Sequence, residues 1–223
     1  MGRGRGTVTT SPVASSPELL TLHAVRLKGM ADDGEVAARF GLDFSVAREC
    51  LLDAQAVGWI TRVQFASTVG WTLTQAGKAE NERQLATELA VTGSASIVRH
   101  AYQEFLPYND RLLRACTDWQ LRPSGADPLA ANDHTDREWD QRVLSQLSTL
   151  SAALHGLCSE LGGRLGRFQG YDVLFAAALQ RAQQGEHAWV ARPRVDSCHT
   201  VWMELHEDLI ATLGVQRGAE PHD

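Results

Sequence analysis

The chain of 223 residues lacks the features that would assign it directly to a membrane, a redox system or a common enzyme class. No apolar run approaches the roughly 18 to 20 residues that span a bilayer, so we expect no membrane partner. The four cysteines form no C-x-x-C pair, and scattered cysteines of this kind are usually reduced and buried. The sequence contains no P-loop, glycine-rich dinucleotide turn or nucleophile–base pair. We therefore expect neither an enzyme nor a cofactor.

The charge balance does not favour a nucleic-acid partner. The formal net charge is −6 at pH 7. Residues 1–95 contain 9 Lys and Arg against 10 Asp and Glu, whereas residues 96–223 contain 12 against 17. Because the acidic excess lies in the C-terminal half, the N-terminal half is still able to present a local basic face to DNA.

Residues 1–16 begin with positive charges but lack the apolar stretch of a signal peptide. We expect a disordered tail here and a cytoplasmic protein.

The next segment predicts three short helices followed by a hairpin. Helices are expected from Pro17 to Gly29, over 34–40 and from Asp43 to Gly58, because apolar residues recur at helical spacing. Residues 59–65 and 69–73 then alternate, which is typical of strands, and a further helix is expected from Thr74 to about Thr92. Two short helices joined at Gly41 have the layout of a helix-turn-helix.

The remainder of the chain is predicted to be helical. We expect helices near 94–106, 108–121, 135–162, 171–184 and 198–213, with loops at 122–132 and 185–196. The predicted fold is mainly α, with a winged helix-turn-helix domain at 17–93, whose wing is a small two-stranded β-hairpin, and an all-helical domain at 94–223.

The stretch from Leu19 to Lys78, about a third of the chain, resembles the winged helix-turn-helix of MarR-type bacterial regulators. The resemblance is carried by V-A-A-R-F-G-L at 36–42, V-G-W-I at 57–60 and W-T-L-T-Q-A-G at 71–77. The C-terminal half is longer than in that family. Its segments at 132–134 and 196–209 resemble those of uncharacterised actinobacterial regulators. This second resemblance identifies neither a ligand nor a mechanism.

The resemblance implies a regulator that binds double-stranded DNA. Its third helix would lie in the major groove and its wing beside the backbone. The residues expected to face DNA are Arg39, Ser45, Arg48, Arg62 and Gln64. Acidic residues at 43, 49 and 53 oppose this role, and the alternative is a winged helix that contacts another protein.

Histidines and carboxylates in the C-terminal half suggest an effector site or a metal site. Residues expected to line an effector pocket between helices are His134, Trp139, His199, Trp202 and His206. A metal-dependent enzyme, the third alternative, requires His134, His199 and His206 to converge. His199 and His206 lie about 10 Å apart along a helix, too far to chelate one ion alone. We favour core histidines and a helix cap at Asn132 or Asp133, and we assign no metal.

We also expect a homodimer, because paired recognition helices would read two half-sites about one DNA turn apart. The pairing surface is predicted to include Lys78–Thr92 and Ser94–Leu121. An effector bound by the C-terminal half would then change the spacing of the recognition helices.

Overall fold

A computed structural model describes residues 12–65, 68–124 and 127–215. In chain order the elements are α1 (Pro17–Lys28), α2 (Asp33–Phe40), α3 (Phe44–Ala56), β1 (Ile60–Phe65), β2 (Thr68–Leu73), α4 (Gln75–Thr92), α5 (Ala95–Gln120), α6 (Arg137–Gly162), a 3-10 helix (Gly166–Phe168), α7 (Tyr171–Gln183), α8 (Ala188–Ala191) and α9 (Cys198–Leu213). The fold is mainly helical with one small antiparallel sheet, which confirms the predicted fold class at that level.

Side-chain caps define the first helices. The Ser16 hydroxyl accepts the Leu19 N–H at the start of α1, and Asp32 and Glu35 form a reciprocal capping box on α2. Gly41, at φ 66°, ends α2 in the left-handed conformation that the sequence predicts there. Gly41 and the N-cap of α3, Asp43, together define the tight connection between α2 and α3.

Strands β1 and β2 pair from Ile60 opposite Leu73 to Phe65 opposite Thr68. A single extended residue between α1 and α2, Ala31, also pairs with Trp71 through N···O distances of 2.8 and 3.2 Å. The hairpin is therefore attached to the α1–α2 connection. A small core lies beneath it, formed by Leu22, Ala24, Val25, Ala31, Val36, Leu51, Ala54, Ile60 and Trp71.

The start of α4 packs on the residues just before β1. The Thr74 hydroxyl donates to the Gly58 carbonyl at 2.7 Å and accepts the Gly77 N–H at 3.0 Å. A Cβ on Gly77 would lie 1.9 Å from the Trp59 carbonyl oxygen. The sequence motifs at 57–60 and 71–77 are thus in direct contact in the structure, at the packing of Thr74 and Gly77 against Gly58 and Trp59.

The larger core belongs to the C-terminal helices, where α5 packs on α6 and α9, and α7 packs on α6 and α9. Its largest fully buried side chains are Phe105, Leu112, Leu147, Leu150, Leu154, Phe168, Tyr171, Phe175 and Trp202.

Two predictions for this half were wrong. One helix, α5, runs from Ala95 to Gln120 through Pro107, where two helices at 94–106 and 108–121 were expected. Pro107 is exposed, and the buried Phe105 and Leu112 on either side of it belong to the same core, so the packing outweighs the cost of proline in a helix interior. The short helix α8 lies inside the loop expected at 185–196.

The predicted disordered tail falls partly outside the described residues, which begin at 12. Residues 12–16 do not match that prediction. The Val13 N–H donates to the Arg164 carbonyl at 3.0 Å, and its carbonyl accepts the Gly166 N–H at 3.2 Å. This segment therefore lies against the connection between α6 and α7.

In the parts of the chain that the structure describes, no helix combines the length and apolar content that crossing a bilayer requires.

Candidate nucleic-acid interface

Helix α3 has a packed side and an open side. Ala47, Leu51 and Ala54 are buried, and the helix packs against α1, α2 and β1. Ser45 and Arg48 lie on the open side, where the Arg48 side chain is 58 % exposed and its Nη1 lies 3.4 Å from Asp33 Oδ2. Such an exposed ion pair contributes little stability, so the Arg48 guanidinium is accessible to a partner.

The first turn of α3 carries a carboxylate. Asp43 is the N-cap and accepts the N–H groups of Ser45 and Val46 together with the Ser45 hydroxyl. These hydrogen bonds, the one from the Ser45 hydroxyl foremost, hold the pKa of Asp43 below its usual value. Asp43 therefore remains ionised at the exposed start of α3.

The β1–β2 hairpin follows α3 and exposes Arg62 and Gln64. The Arg62 guanidinium lies 5.2 Å from the centre of the Trp71 ring, its partner across the strands. Of the five residues predicted to face DNA, four are therefore exposed: Ser45, Arg48, Arg62 and Gln64.

Arg39 is the exception, and its predicted place near phosphate is wrong. Its side chain is 2 % exposed, and its Nε donates to Glu204 Oε2 at 3.0 Å. Burial opposes the charge on Arg39, but the carboxylates of Glu204 and Asp208 outweigh it and keep the pKa raised. Because α9 covers the guanidinium, Arg39 connects α2 to the C-terminal half.

Arg39 belongs to a layer of buried and half-buried charges along α9, which we call the charged junction. Three carboxylates of α9 take part, and each meets cations from outside α9. Glu204 pairs with Arg39 and with Lys28 Nζ at 2.8 Å, and Glu207 accepts from Arg26 Nε at 2.9 Å.

The third carboxylate, Asp208, is fully buried. His23 Nε2 lies 3.0 Å from its Oδ1, Tyr171 donates a hydroxyl hydrogen bond at 2.8 Å to Oδ2, and Arg167 pairs with Oδ1. Burial alone would raise the pKa of Asp208, but Arg167 and then His23 outweigh it and hold that pKa well below its ordinary value. The sequence did not reveal the partners of these three acids, because most of the cations come from distant parts of the chain.

The five residues predicted to line an effector pocket do not come together. Trp202 packs on Phe105 with ring centres 4.8 Å apart, and His206 packs on the same ring at 5.3 Å. Trp139 instead donates its indole N–H to the Asp118 carbonyl at 2.6 Å. Residues 105 and 118 are about 20 Å apart along α5, so one small pocket does not include both groups.

Of the other two predicted residues, His134 lies near Trp139 and away from Trp202 and His206. His134 lies against the Trp119 ring, 4.6 Å between centres, and His199 is half-buried in the first turn of α9, where burial lowers its pKa. Among the described residues, the one group of three metal-ligand side chains joins His134 to Asp140 and His187. The convergence of His134, His199 and His206 that a metal-dependent enzyme would require is therefore not found among the described residues.

A groove of about 680 Å³ opens beside the charged junction. Its lining residues are Leu27, Lys28, Met30, Glu35, Ala38, Arg39, Thr68, Leu174, Trp189, Arg194, Val195, Asp196, Thr200 and Glu204. The volume lies in the range of small-molecule sites, and the lining combines an apolar wall with charged groups of both signs. Arg194 also donates to the Thr68 hydroxyl at 3.3 Å, so the groove reaches the β1–β2 hairpin.

Comparison with known proteins adds no identification. No family model matches the chain, and neither the curated proteins nor the solved structures compared with it gave a match. The resemblance to MarR-type regulators stays a prediction.

Proposed function

We propose that residues 17–93 form a winged helix-turn-helix and that the protein is a DNA-binding transcriptional regulator. The observation that carries this proposal is the open side of α3, which faces away from α1 and α2 and is followed directly by a hairpin held at Ala31 and Trp71. A helix exposed in this way fits the major groove, and a hairpin beside it fits the adjacent backbone or minor groove.

In this arrangement Arg48 is the main base-reading or phosphate-binding side chain, since a guanidinium binds guanine or phosphate through two hydrogen bonds. Ser45 can accept a hydrogen bond from DNA as it stands, but it can donate one only if its hydroxyl leaves Asp43. Arg62 and Gln64 contact the DNA from the hairpin. Arg39 acts indirectly, by holding α2 against α9.

The C-terminal half supplies pairing and control. Two copies paired through α4 and α5 would present two α3 helices to two half-sites. The groove beside the charged junction is the proposed effector site, because Lys28, Arg39 and Glu204 line it and also join α1 and α2 to α9. A ligand that binds one arrangement of these groups more tightly would shift the spacing of the α3 helices.

The test of this interface is Arg48→Ala. Removing a direct contact should weaken binding to a duplex enriched from a random library by about 1–3 kcal/mol, roughly 5- to 150-fold, in fluorescence anisotropy. Arg181→Ala is the matched control, because Arg181 is also exposed and paired with a carboxylate but lies on α7. Equal affinities of wild type and Arg48→Ala would contradict the proposed docking.

A second candidate function, binding to another protein, is favoured by the surface chemistry of the same region. Exposed apolar side chains are Phe44, Val46, Leu52, Val57, Phe65 and Val69. Asp43, Glu49 and Asp53 outnumber Arg48 on the exposed surface of α3 and its N-cap. If no duplex is enriched, this candidate predicts that Phe44→Ser with Leu52→Ser abolishes retention of a partner protein while Arg48→Ala preserves it.

A further inference from the structure

Two separate chain segments bring His134, Asp140 and His187 together. His134 precedes α6, Asp140 lies in its first turn, and His187 immediately precedes α8. One ligand atom from each residue can be chosen so that all three lie within 4.8 Å of one another. The rings of His134 and His187 have centres 4.0 Å apart, and His134 Nδ1 lies 3.0 Å from Asp140 Oδ2.

The group is held in place by a buried amide. Asn132 donates from Nδ2 to the Trp119 carbonyl at 3.1 Å and to Asp140 Oδ1 at 2.9 Å. Its Oδ1 accepts the His134 N–H at 3.1 Å. These contacts fix the orientation of the Asn132 side chain and position both neighbouring residues. The cap of α6 is Asp136, not the predicted Asn132 or Asp133, so Asn132 has this other role.

The tautomer of His134 follows from these contacts. Both N–H groups of the Asn132 amide are taken by Trp119 and Asp140, so the neighbour that His134 Nδ1 can satisfy is the Asp140 carboxylate, and Nδ1 carries the proton. The His134 Nε2 lone pair then remains for a ligand. A carboxylate that accepts from one imidazole nitrogen while the other binds a metal is a common arrangement in metalloproteins.

His187 supplies the second nitrogen. Its carbonyl accepts the Trp119 indole N–H at 3.0 Å, which anchors its backbone. Its imidazole is exposed and forms no hydrogen bond with a side chain among the described residues, although it packs on His134 and Trp119. An imidazole lone pair thus stands beside the His134 ring at the protein surface.

We propose that His134, His187 and Asp140 form a binding site for one divalent transition-metal ion of the zinc class. Two imidazoles and a carboxylate are ligands that Zn²⁺, Ni²⁺ and Co²⁺ accept, whereas Mg²⁺ and Ca²⁺ prefer sites made of oxygen alone. Asp140 orients His134 toward the ion by accepting the hydrogen bond from its Nδ1. Because the site is open at His187, water completes the coordination.

The ion would join the start of α6 to the segment before α8. Trp189, two residues after His187, lines the groove beside the charged junction. Metal binding would therefore restrain the segment that supplies Trp189 to the groove proposed for an effector. The site itself does not depend on DNA binding.

The experiment is calorimetric titration of the metal-free full-length chain with Zn²⁺, together with the visible absorption of the Co²⁺ form. One ion per chain is expected, with a Co²⁺ spectrum that lacks thiolate charge transfer because no cysteine belongs to the site. His187→Ala should lower the affinity at least tenfold, and Asp140→Asn should lower it about 10- to 100-fold. Since His187 is exposed, its replacement leaves the fold intact, which circular dichroism checks.

The matched control is His155→Ala. His155 is an exposed histidine whose Nδ1 lies 2.7 Å from Asp172 Oδ2. Replacing His155 therefore removes a similar His–Asp pair elsewhere on the surface. It should leave the Zn²⁺ affinity unchanged. Absence of binding to the wild type, or equal affinities for wild type and His187→Ala, would overturn the proposal.

Discussion

Asp208 is a carboxylate fully buried between three helices and the 3-10 helix, so its charge depends on the groups around it. A buried carboxylate stays ionised only where neighbouring cations and donors replace its hydration. Arg167, His23 and Tyr171 do so, and burial in turn raises the pKa of Tyr171 well above its ordinary value, so Tyr171 remains a neutral donor. The cost of losing any one partner is correspondingly high.

Asp208→Asn should destabilise the fold by about 3 kcal/mol, because it removes one of the two carboxylates that pair with the buried Arg167 and leaves Glu88 as the other. The free energy of unfolding in urea measures this. Glu186→Gln, which removes an exposed pair with Arg181, is the control and should cost less than about 1 kcal/mol.

The same comparison has a defined pH dependence. The folded pKa of Asp208 is depressed, so its stabilisation is present above the unfolded value of about 3.9 and is lost as the pH falls through the folded pKa. The difference in free energy of unfolding between wild type and Asp208→Asn should therefore become smaller below about pH 4. A gap that is constant from pH 7 to pH 3 would contradict the ionised state of Asp208.

At the scale of helices and strands, local signals predicted most of the N-terminal half. Gly41, Asp43 and Thr74 each mark a helix boundary through a cap whose chemistry is visible in the sequence. Local signals failed where distant packing decides, as at Pro107, which does not divide α5. They also failed at Arg39, because an arginine in a helix does not reveal that a carboxylate 165 residues later covers it.

Gly77→Ala tests the packing of α4 on the residues before β1. A Cβ there meets the Trp59 carbonyl at 1.9 Å, so the backbone must shift and we expect a loss of about 1–3 kcal/mol in thermal or urea unfolding. Gly156→Ala in α6 is the matched control. Nothing lies within 4 Å of its added Cβ, and the change should be neutral or stabilise by about 0.4–1 kcal/mol. Equal effects at the two positions would show that this close contact does not exist.

At the scale of the whole molecule, the charged junction makes the two predicted domains interdependent. The division at residues 93 and 94 reflects the sequence, but α9 at the end of the chain packs on α1 and α4 near its beginning. Sequence reasoning did not foresee this contact, because ion pairs between residues more than 150 positions apart leave no periodic signal. The residues predicted to line one effector pocket lie in separate places for the same reason. A helical sequence pattern shows where helices form but not which helices pack together.

Pairing of two chains is the second prediction at this scale. Sedimentation should show a dimer at micromolar concentration. Val91→Glu, which places a charge on the exposed side of α4, should shift it toward monomer. Val173→Glu, at a similarly exposed valine on α7, should not. A wild type that is monomeric at micromolar concentration would count against the homodimer and against reading two half-sites.

The most direct test of the central claim is enrichment of a duplex from a random library on the full-length protein, followed by fluorescence anisotropy across a salt series. A DNA-binding regulator should prefer the enriched duplex over a scrambled one by about 10³-fold or more, with affinity falling steeply between roughly 50 and 200 mM salt. No enriched sequence, or equal binding to both duplexes, would contradict the regulator and favour a protein partner for the open side of α3.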